Sequence, residues 1–240
     1  MKFFILSILL FFFQTLYASA SIGTVSLCKG SIKLKASHSI KKMKVKVGTI
    51  IKEGDLLSSS KNASAKLKLI DGSVIVLDEK SSIYFHSLSQ AEQQTGKILY
   101  KITSRDAKNS LKIKTSFAII GIKGTTFIVE TSKKSSVSLK EGLLSIKSIN
   151  KEFQLYREKL EAEFKEYKKE GLKHIQKQKD DFENYKNEET SYKEVKSVKK
   201  FELNAGKKIV FQNQNVKENS FSKDDEAQYI YFYKLLNSMK

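Results

Sequence analysis

Between residues 22 and 149, apolar and polar residues alternate in short runs interrupted by glycine or by clusters of serine, asparagine and aspartate. A period of two is typical of strands that bury one face, and the interruptions mark turns. Because the chain has no proline, glycine, asparagine and aspartate must make these turns. The pattern predicts a mainly β body with strands around residues 83–85, 98–102, 111–113, 127–129, 137–139 and 143–146.

The clearest predicted hairpin lies at Asp71-Gly72. Leu67 and Leu69 alternate with lysines before it, and Val74 and Val76 follow it. A two-residue Asp-Gly loop takes up the positive φ angles that a tight hairpin requires. With such a loop, we expect Val74 and Val76 to return on the same face as Leu67 and Leu69.

From residue 150 the large apolar residues recur at spacings of three and four, as on one face of a helix. We therefore predict an inserted helical arm over residues 150–199, a coiled-coil-like helical hairpin at about 150–195 that folds at Gly171. A single long helix, with residues 190–200 returning along it, is the alternative. Six aromatic residues of the arm are candidates for binding a partner, and a packing seam between helices is the other interpretation: Phe153, Tyr156, Phe164, Tyr167, Phe182 and Tyr185.

The C-terminal part returns to a strand-like pattern at residues 201–211. A polar linker follows, and Ser222 with Asp225 three residues later resembles a capping box at a helix start. Residues 229–236 are too apolar to stay free in water, so the terminal helix is expected to dock on the body or on a partner. The predicted domains are thus a β domain (21–149 plus 200–212), the arm (150–199), and a linker with a helix (213–240).

The N-terminal segment has the features of a signal peptide. Lys2 precedes an apolar run over residues 3–13, and Ala18-Ser19-Ala20 places small residues where a leader peptidase cleaves. We expect residues 1–20 to be removed and the mature chain to begin at Ser21. No stable transmembrane span is then expected. We expect the protein to be exported to the periplasm, with the cell surface or the medium as alternatives.

The formal net charge of +18 is unevenly distributed, since residues 21–150 hold 23 basic and 9 acidic residues. A basic surface attracts phosphate polymers. Of the 44 basic residues, however, only Arg105 and Arg157 are arginines, the residue that forms bidentate contacts with phosphates and bases. Nucleic acid is therefore not the expected partner. Solvated lysines on strand faces are one explanation of the charge, and attraction to anionic envelope polymers is the other.

Catalytic patterns are missing from the sequence. His38, His86 and His174 are isolated from metal-ligand spacings, and no serine lies in a nucleophile-elbow motif. Cys28 is the single cysteine, which excludes an internal disulfide. The sequence predicts a protein that is not an enzyme and that needs no metal or other cofactor.

Four glycine-centred motifs and a closing Leu-x-Ala-Gly strand occur in a fixed order, and this order resembles the FecR family. In that family a "GD" strand pair precedes a "DGS" hairpin, a long motif ending in "G-V-R-G-T-x-F", an "EG" turn and an "L-x-A-G" strand. Lys123 replaces the arginine of the long motif and Ser116 replaces its proline. The residues that match or stand in the motifs are Gly54, Asp55, Asp71, Gly72, Ser73, Gly121, Lys123, Gly124, Thr125, Phe127, Glu141, Gly142, Ala205 and Gly206.

The resemblance implies a FecR-like fold of packed or solenoid-like β-sheets, with these residues in structural roles. Well-known FecR proteins are membrane-spanning regulators that pass a periplasmic signal to a sigma factor, but only Met1 and Lys2 precede the apolar segment here. We therefore expect a non-enzymatic envelope binding or scaffold protein whose partner is an envelope protein or peptidoglycan. An accessory component of a FecR-type signalling system, without its own anti-sigma domain, is the alternative.

Overall fold

The structure, a computed structural model, describes residues 19–103, 111–158 and 193–238. Within these ranges the chain forms seventeen strands and one helix. They are β1 Ser21–Lys29, β2 Ile32–Lys35, β3 Lys42–Lys44, β4 Ile50–Lys52, β5 Leu56–Ser59, β6 Ser64–Leu69, β7 Val74–Leu77, β8 Ser82–Ser87, β9 Gln90–Lys101, β10 Lys112–Lys114, β11 Ala118–Thr131, β12 Ser135–Ser148, β13 Phe153–Glu158, β14 Lys193–Val198, β15 Lys200–Asn204, β16 Lys207–Gln212, β17 Asn215–Ser220 and α1 Lys223–Asn237.

The strands form two layers that share the long strands β9, β11 and β12. The first layer has the order β3-β2-β5-β8-β9-β10-β11-β12-β15. The second has the order β4-β1-β6-β7-β9-β11-β12-β16-β17-β13-β14. Most neighbours are antiparallel, and the pairs β9–β10 and β13–β17 are parallel. The predicted mainly β fold is confirmed.

Inward-facing side chains of both layers meet in one apolar core. Tyr100 and Phe127 stack there with ring centroids 4.9 Å apart. The Tyr100 hydroxyl donates to Gln93 Oε1 at 2.9 Å, and Gln93 Nε2 donates to the carbonyl of Val129 at 3.0 Å. These buried polar groups are therefore satisfied, which removes the cost of leaving them without partners inside the core.

The hairpin between β6 and β7 differs from its prediction by one residue. Leu67 lies opposite Ile75, and Lys68 lies opposite Val74. The loop contains three residues, Ile70 to Gly72, and Gly72 has a φ of +83°. A shift of one residue moves every side chain to the other face. Ile75 therefore joins the core, whereas Val76 lies on the outer face of the second layer.

The predicted helical arm over residues 150–199 is not supported at either of its described ends. Residues 153–158 and 193–198 are β13 and β14, which pair with each other, and β13 also pairs with β17. The cause is burial, since Phe153 and Leu155 alternate on the core face while Gln154 and Tyr156 do not. Residues 159–192, on which the rest of the predicted helical hairpin falls, lie outside the described residues.

The predicted polar linker after residue 213 contains β17, which pairs with β16 and buries Val216 completely. The helix α1 begins as predicted. Ser222 is its N-cap, and Ser222 and Asp225 form both hydrogen bonds of a capping box. The terminal helix also docks on the body, as one of the two predicted alternatives has it.

Helix α1 packs on the outer face of the second layer. Tyr229 and Phe232 contact an apolar strip made by Val76, Leu99 and Ile128. These three residues come from β7, β9 and β11, so one helix covers three neighbouring strands. Both aromatic residues are at most 2% exposed, as expected for a contact that stabilises the helix by apolar burial.

Polar contacts surround this apolar contact. Lys208 Nζ donates to Asp225 Oδ1 at 2.6 Å near the start of the helix, and Lys66 Nζ donates to the carbonyl of Leu236 at 2.9 Å near its end. Burial by itself raises the pKa of Asp225, but hydrogen bonds from Lys208 and Ser222 outweigh it and leave the pKa below its ordinary value. A cation at the last carbonyls also favours the helix dipole.

Candidate functional site

The glycine motifs shape the turns and bends of the sandwich. Asp55 is buried, and its carboxylate accepts from the Lys52 amide at 2.8 Å in the turn before β5. Asp71 accepts from both the amide and the hydroxyl of Ser73, at 3.1 Å and 2.8 Å. Ser73 Oγ in turn accepts from the amide of Thr103 at 3.1 Å. These side chains hold the backbone of the turns in which they lie.

Three of the motifs meet where β11 and β12 pass from one layer to the other. Their pairing is interrupted between Lys123, opposite Leu143, and Thr126, opposite Glu141. The intervening Gly124 and Gly142 have φ angles of +59° and +89°. Such opposed bulges bend both strands and increase their twist. The side chain of Lys123 lies outside the described part of the chain, so the bend is assigned to the glycines.

Glu141-Gly142 is therefore a bulge inside the continuous strand β12, and not a turn between two strands. Glu141 Oε2 accepts from Thr126 Oγ1 across the bend at 3.0 Å. The Ala205-Gly206 turn joins β15 to β16 beside the same bend, and the Gly206 amide donates to the carbonyl of Leu139 at 2.8 Å. Motifs that are distant in sequence thus form one junction between the layers.

Two of the six candidate partner-binding aromatics are in the described ranges. Phe153 is 3% exposed and contacts Phe201 and Phe211, with centroid distances of 5.8 Å and 5.7 Å. Tyr156 is half-buried on β13. Phe164, Tyr167, Phe182 and Tyr185 lie outside the described residues. Phe153 is thus a core residue of the strand β13, and not part of a seam between helices.

An open cleft of about 470 Å³ lies beside this aromatic cluster. Phe117, Phe153 and Phe211 line it, and Phe117 and Phe211 approach to 4.4 Å between ring centroids. Its rim is polar, with Asn150, Asn213 and Gln214 among the lining residues.

The outer face of the first layer carries a row of lysines that follows the strand pairing. Successive cross-strand neighbours in this row are Lys42, Lys35, Leu56, Tyr84, Glu92, Lys114, Ile119, Lys147 and Lys200. At about 4.8 Å per strand, the row extends over roughly 38 Å. The five lysines are exposed. We call this surface the lysine face.

Glu92 is the acidic residue of this row. It pairs with Lys114 at 3.3 Å and lies 3.6 Å from His86 Nε2. Further lysines lie beside the row: Lys33 is opposite Lys44, and Lys112 is paired with Gln90. The sequence signal for this surface is the repeated Lys-x-Lys pattern in β2, β3 and β10, which places both lysines of each pair on one face.

Within the described ranges, no group of three or more histidine, cysteine, aspartate or glutamate side chains is arranged to hold a metal ion. Among the same residues, no helix is long and apolar enough to cross a membrane. Cys28 is half-buried, and burial raises the pKa of its thiol above the ordinary value.

The fold and surfaces define a two-layered β-sandwich protein with a helix-covered outer face and a lysine-rich outer face. Residues 55–145 match the family model described as FecR protein. The resemblance to the FecR family that the motifs predicted is therefore confirmed over these residues. FecR proteins are envelope-associated and regulatory.

Solved structures also resemble this chain. Two crystal structures of a "putative anti-sigma factor" from Parabacteroides distasonis ATCC 8503 are 11% identical to it, each with a TM-score of 0.47. The similarity covers 73% of this chain and 64% and 63% of those chains, which is less than two thirds of their length. A "cell surface anchoring domain" is 21% identical over 26% of this chain and 82% of its own, with a TM-score of 0.25. The comparison with curated proteins found no match.

Proposed function

We propose that this protein is a non-enzymatic binding protein of the cell envelope, built on a FecR domain and acting in the periplasm. Its partner in this proposal is an anionic envelope polymer, with peptidoglycan as the first candidate. The lysine face is the observation that carries the proposal. The FecR match supports the envelope location and the regulatory class.

The lysine face suits an extended anionic chain better than a single anion. Its lysines are distributed along a row that crosses nine strands, whereas a site for one anion would gather them around one point. The lysine ammonium group is compact and its aliphatic chain is flexible, so lysines can pair with carboxylates that are irregularly spaced along a polymer. Exposed charges attract weakly one at a time, so affinity must come from several contacts and must fall as salt rises.

The test compares two triple variants in sedimentation with purified insoluble peptidoglycan. Replacing Lys112, Lys114 and Lys147 by glutamine removes charge from the lysine face. Replacing Lys80, Lys101 and Lys217 by glutamine removes the same charge from exposed positions elsewhere. At low salt the first variant should bind about tenfold more weakly, since each exposed charge contributes up to about 1 kcal/mol.

The control variant should bind within twofold of the unaltered protein. Equal weakening in both variants would assign binding to net charge alone and reject the lysine face as the site. Binding by neither the unaltered protein nor the control would reject peptidoglycan as the partner. Melting temperatures of both variants, measured in parallel, establish that each is folded.

A second candidate function is that of an accessory component in a FecR-type cell-surface signalling system. The FecR domain at residues 55–145 favours it. In this case a membrane-bound regulator would read the state of the protein. Crosslinking in intact envelopes should then capture one regulator reproducibly, and the output of that regulator should change in cells that lack this protein.

A further inference from the structure

One edge of the sandwich exposes large apolar side chains. Ile40 is 95% exposed, Met43 53%, Val47 61% and Ile50 53%. They follow one another along the segment from the β2–β3 loop to the start of β4. We call residues 40–50 the edge segment. Such side chains contribute no stability to the fold when they face water, so their clustering in one segment points to a surface that binds something apolar.

The edge segment connects the outermost strands of the two layers. β3 is the first strand of the first layer, and β4 is the first strand of the second. The segment therefore passes across one side of the sandwich, where no further strand of the described chain follows. Its exposed apolar side chains lie at this margin, next to the end of the lysine row at Lys42.

The backbone of the edge segment is held firmly. The Val45 amide donates to Ile32, the Gly48 amide donates to Val25, and both distances are at most 3.0 Å. Val45 itself is 2% exposed and anchors the segment in the core. The exposed residues on either side of it are thus presented by an ordered frame, which reduces the entropy cost of binding.

Lysines surround these apolar residues. Residues 29–52 contain eight lysines, and the first acidic residue of the whole chain is Glu53. Lys41 follows Ile40 and Lys46 precedes Val47, and both lysines are exposed. Lys42 and Lys44 lie on the other face of β3 from Met43 and belong to the lysine face. Apolar side chains among lysines match the interface of an anionic bilayer, where the apolar groups enter the headgroup region and the cations contact phosphates.

We propose that the edge segment docks the protein on the surface of an anionic phospholipid bilayer. Ile40, Met43 and Val47 enter the interface, and the neighbouring lysines contact lipid phosphates. A second copy of this chain is the less favourable occupant, because joining two edge segments would bring like charges together. The inference goes beyond the polymer binding proposed above, and it depends on the exposed apolar residues of the edge segment together with Lys41 and Lys46, none of which belongs to the lysine row.

The first experiment uses the absence of tryptophan from the chain. Met43→Trp places a single fluorescent reporter in the edge segment, and Ile70→Trp places one at an equally exposed site in the β6–β7 loop. With vesicles of phosphatidylglycerol and phosphatidylcholine, emission of the Met43→Trp protein should shift to the blue and be quenched by brominated lipid. The Ile70→Trp reporter should remain in water. Val47→Trp serves as the second reporter if Met43→Trp does not fold.

Vesicle sedimentation then separates the apolar and ionic contributions. Ile40/Val47→Ser should lower partitioning about tenfold or more, because the inserted apolar area is lost. Ile70/Ile230→Ser is the matched control, since these residues are 63% and 56% exposed elsewhere, and it should stay within twofold. Lys41/Lys46→Gln should lower partitioning about fivefold per lysine on anionic vesicles.

Other results would overturn the proposal. Equal loss in the Ile40/Val47→Ser variant and its control would show general apolar adsorption. A reporter at residue 43 that stays in water while the protein sediments with vesicles would place the membrane contact elsewhere. Loss of a dimer in the Ile40/Val47→Ser variant, with vesicle binding unchanged, would identify a second copy as the occupant. All variants share the same N-terminal segment, so its own membrane affinity cancels in each comparison.

The two proposals fail separately. The Lys112/Lys114/Lys147→Gln variant should keep its vesicle binding while it loses polymer binding. The Ile40/Val47→Ser variant should keep its polymer binding while it loses vesicle binding. A variant that loses both would show that one surface serves both ligands and would reject the edge segment as a separate site.

Discussion

The outer face of the first layer and the outer face of the second layer arise from the same alternation along the strands, yet one is bare and the other is covered. On the first layer the outward positions of β2, β3 and β10 are lysines, and they remain in water. On the second layer the outward positions include Val76, Leu99 and Ile128, and α1 buries them. The residue type at outward positions thus decides whether a face stays exposed to solvent or is covered by the helix.

Lysine is also used differently on the two faces. Lys35 and Lys42 are directly opposite each other on the first layer, where like charges are unfavourable. Lys66 and Lys208 on the second layer instead donate to the two ends of the helix. Lys66 and Lys208 therefore stabilise the docked helix, whereas Lys35 and Lys42 of the lysine face are exposed to solvent.

The largest expected effect comes from breaking the junction that the two layers share. Gly142→Val should lower the free energy of unfolding by about 3–5 kcal/mol, because valine is strained at positive φ and overpacks the bend. A Cβ at residue 142 would lie 2.5 Å from the carbonyl oxygen of Gly124. Denaturant unfolding measures the loss.

Gly48→Val is the matched control for this prediction. Gly48 has a φ of +87°, almost equal to that of Gly142, but no atom lies within 4 Å of the position that a Cβ would occupy there. The control should therefore lose only about 1–2 kcal/mol from strain. Equal losses in the two variants would show that the close approach at the junction does not matter.

A smaller effect is expected from loosening the covered face alone. Phe232→Ala should lower the free energy of unfolding by about 3 kcal/mol, because it removes a fully buried ring from between helix and sheet. Limited proteolysis should then cleave within residues 223–237 before the sandwich. Ile230→Ala, at a position 56% exposed on the same helix, should change stability by at most about 0.5 kcal/mol. A protease-resistant helix in the Phe232→Ala variant would contradict this account.

The smallest effect is expected on the lysine face. Lys35→Glu should raise the free energy of unfolding by about 0.5 kcal/mol, because it replaces a like-charge pair with Lys42 by an opposite-charge pair. The gain should shrink at high salt. Lys217→Glu is the control, since Lys217 lies opposite Val210 and Tyr156 and has no cation across from it. A loss of stability in Lys35→Glu would show that Lys35 is needed for the fold.

Several features of the fold follow from local pattern. The strand-rich body, the capping box of α1 and the structural glycines were all predictable, since each depends on residues close together in sequence. The segment at Phe153 was not. Its aromatic spacing of three and four fits a helix, but pairing with β14 and β17 makes residues 153–158 a strand. Tertiary burial here outweighs the local periodicity.

The hairpin at Asp71-Gly72 shows the same limit on a smaller scale. Both a two-residue and a three-residue loop agree with the sequence, and they differ by one residue in register. The choice places Val76 outside the core and so creates the strip on which α1 packs. The longer loop thus gives α1 its apolar contact surface, and no residue near the turn shows which loop length forms.

Residue type and short-range spacing are enough to predict the class of the fold, the positions where glycine permits a bend, the start of the terminal helix and the excess of lysine. They do not show which motifs meet at the junction, which face the helix covers or which lysines align in one row. Those outcomes depend on strand register and on pairing between distant segments. Register is set by the total burial of side chains along whole strands, and a local sequence pattern does not contain this information.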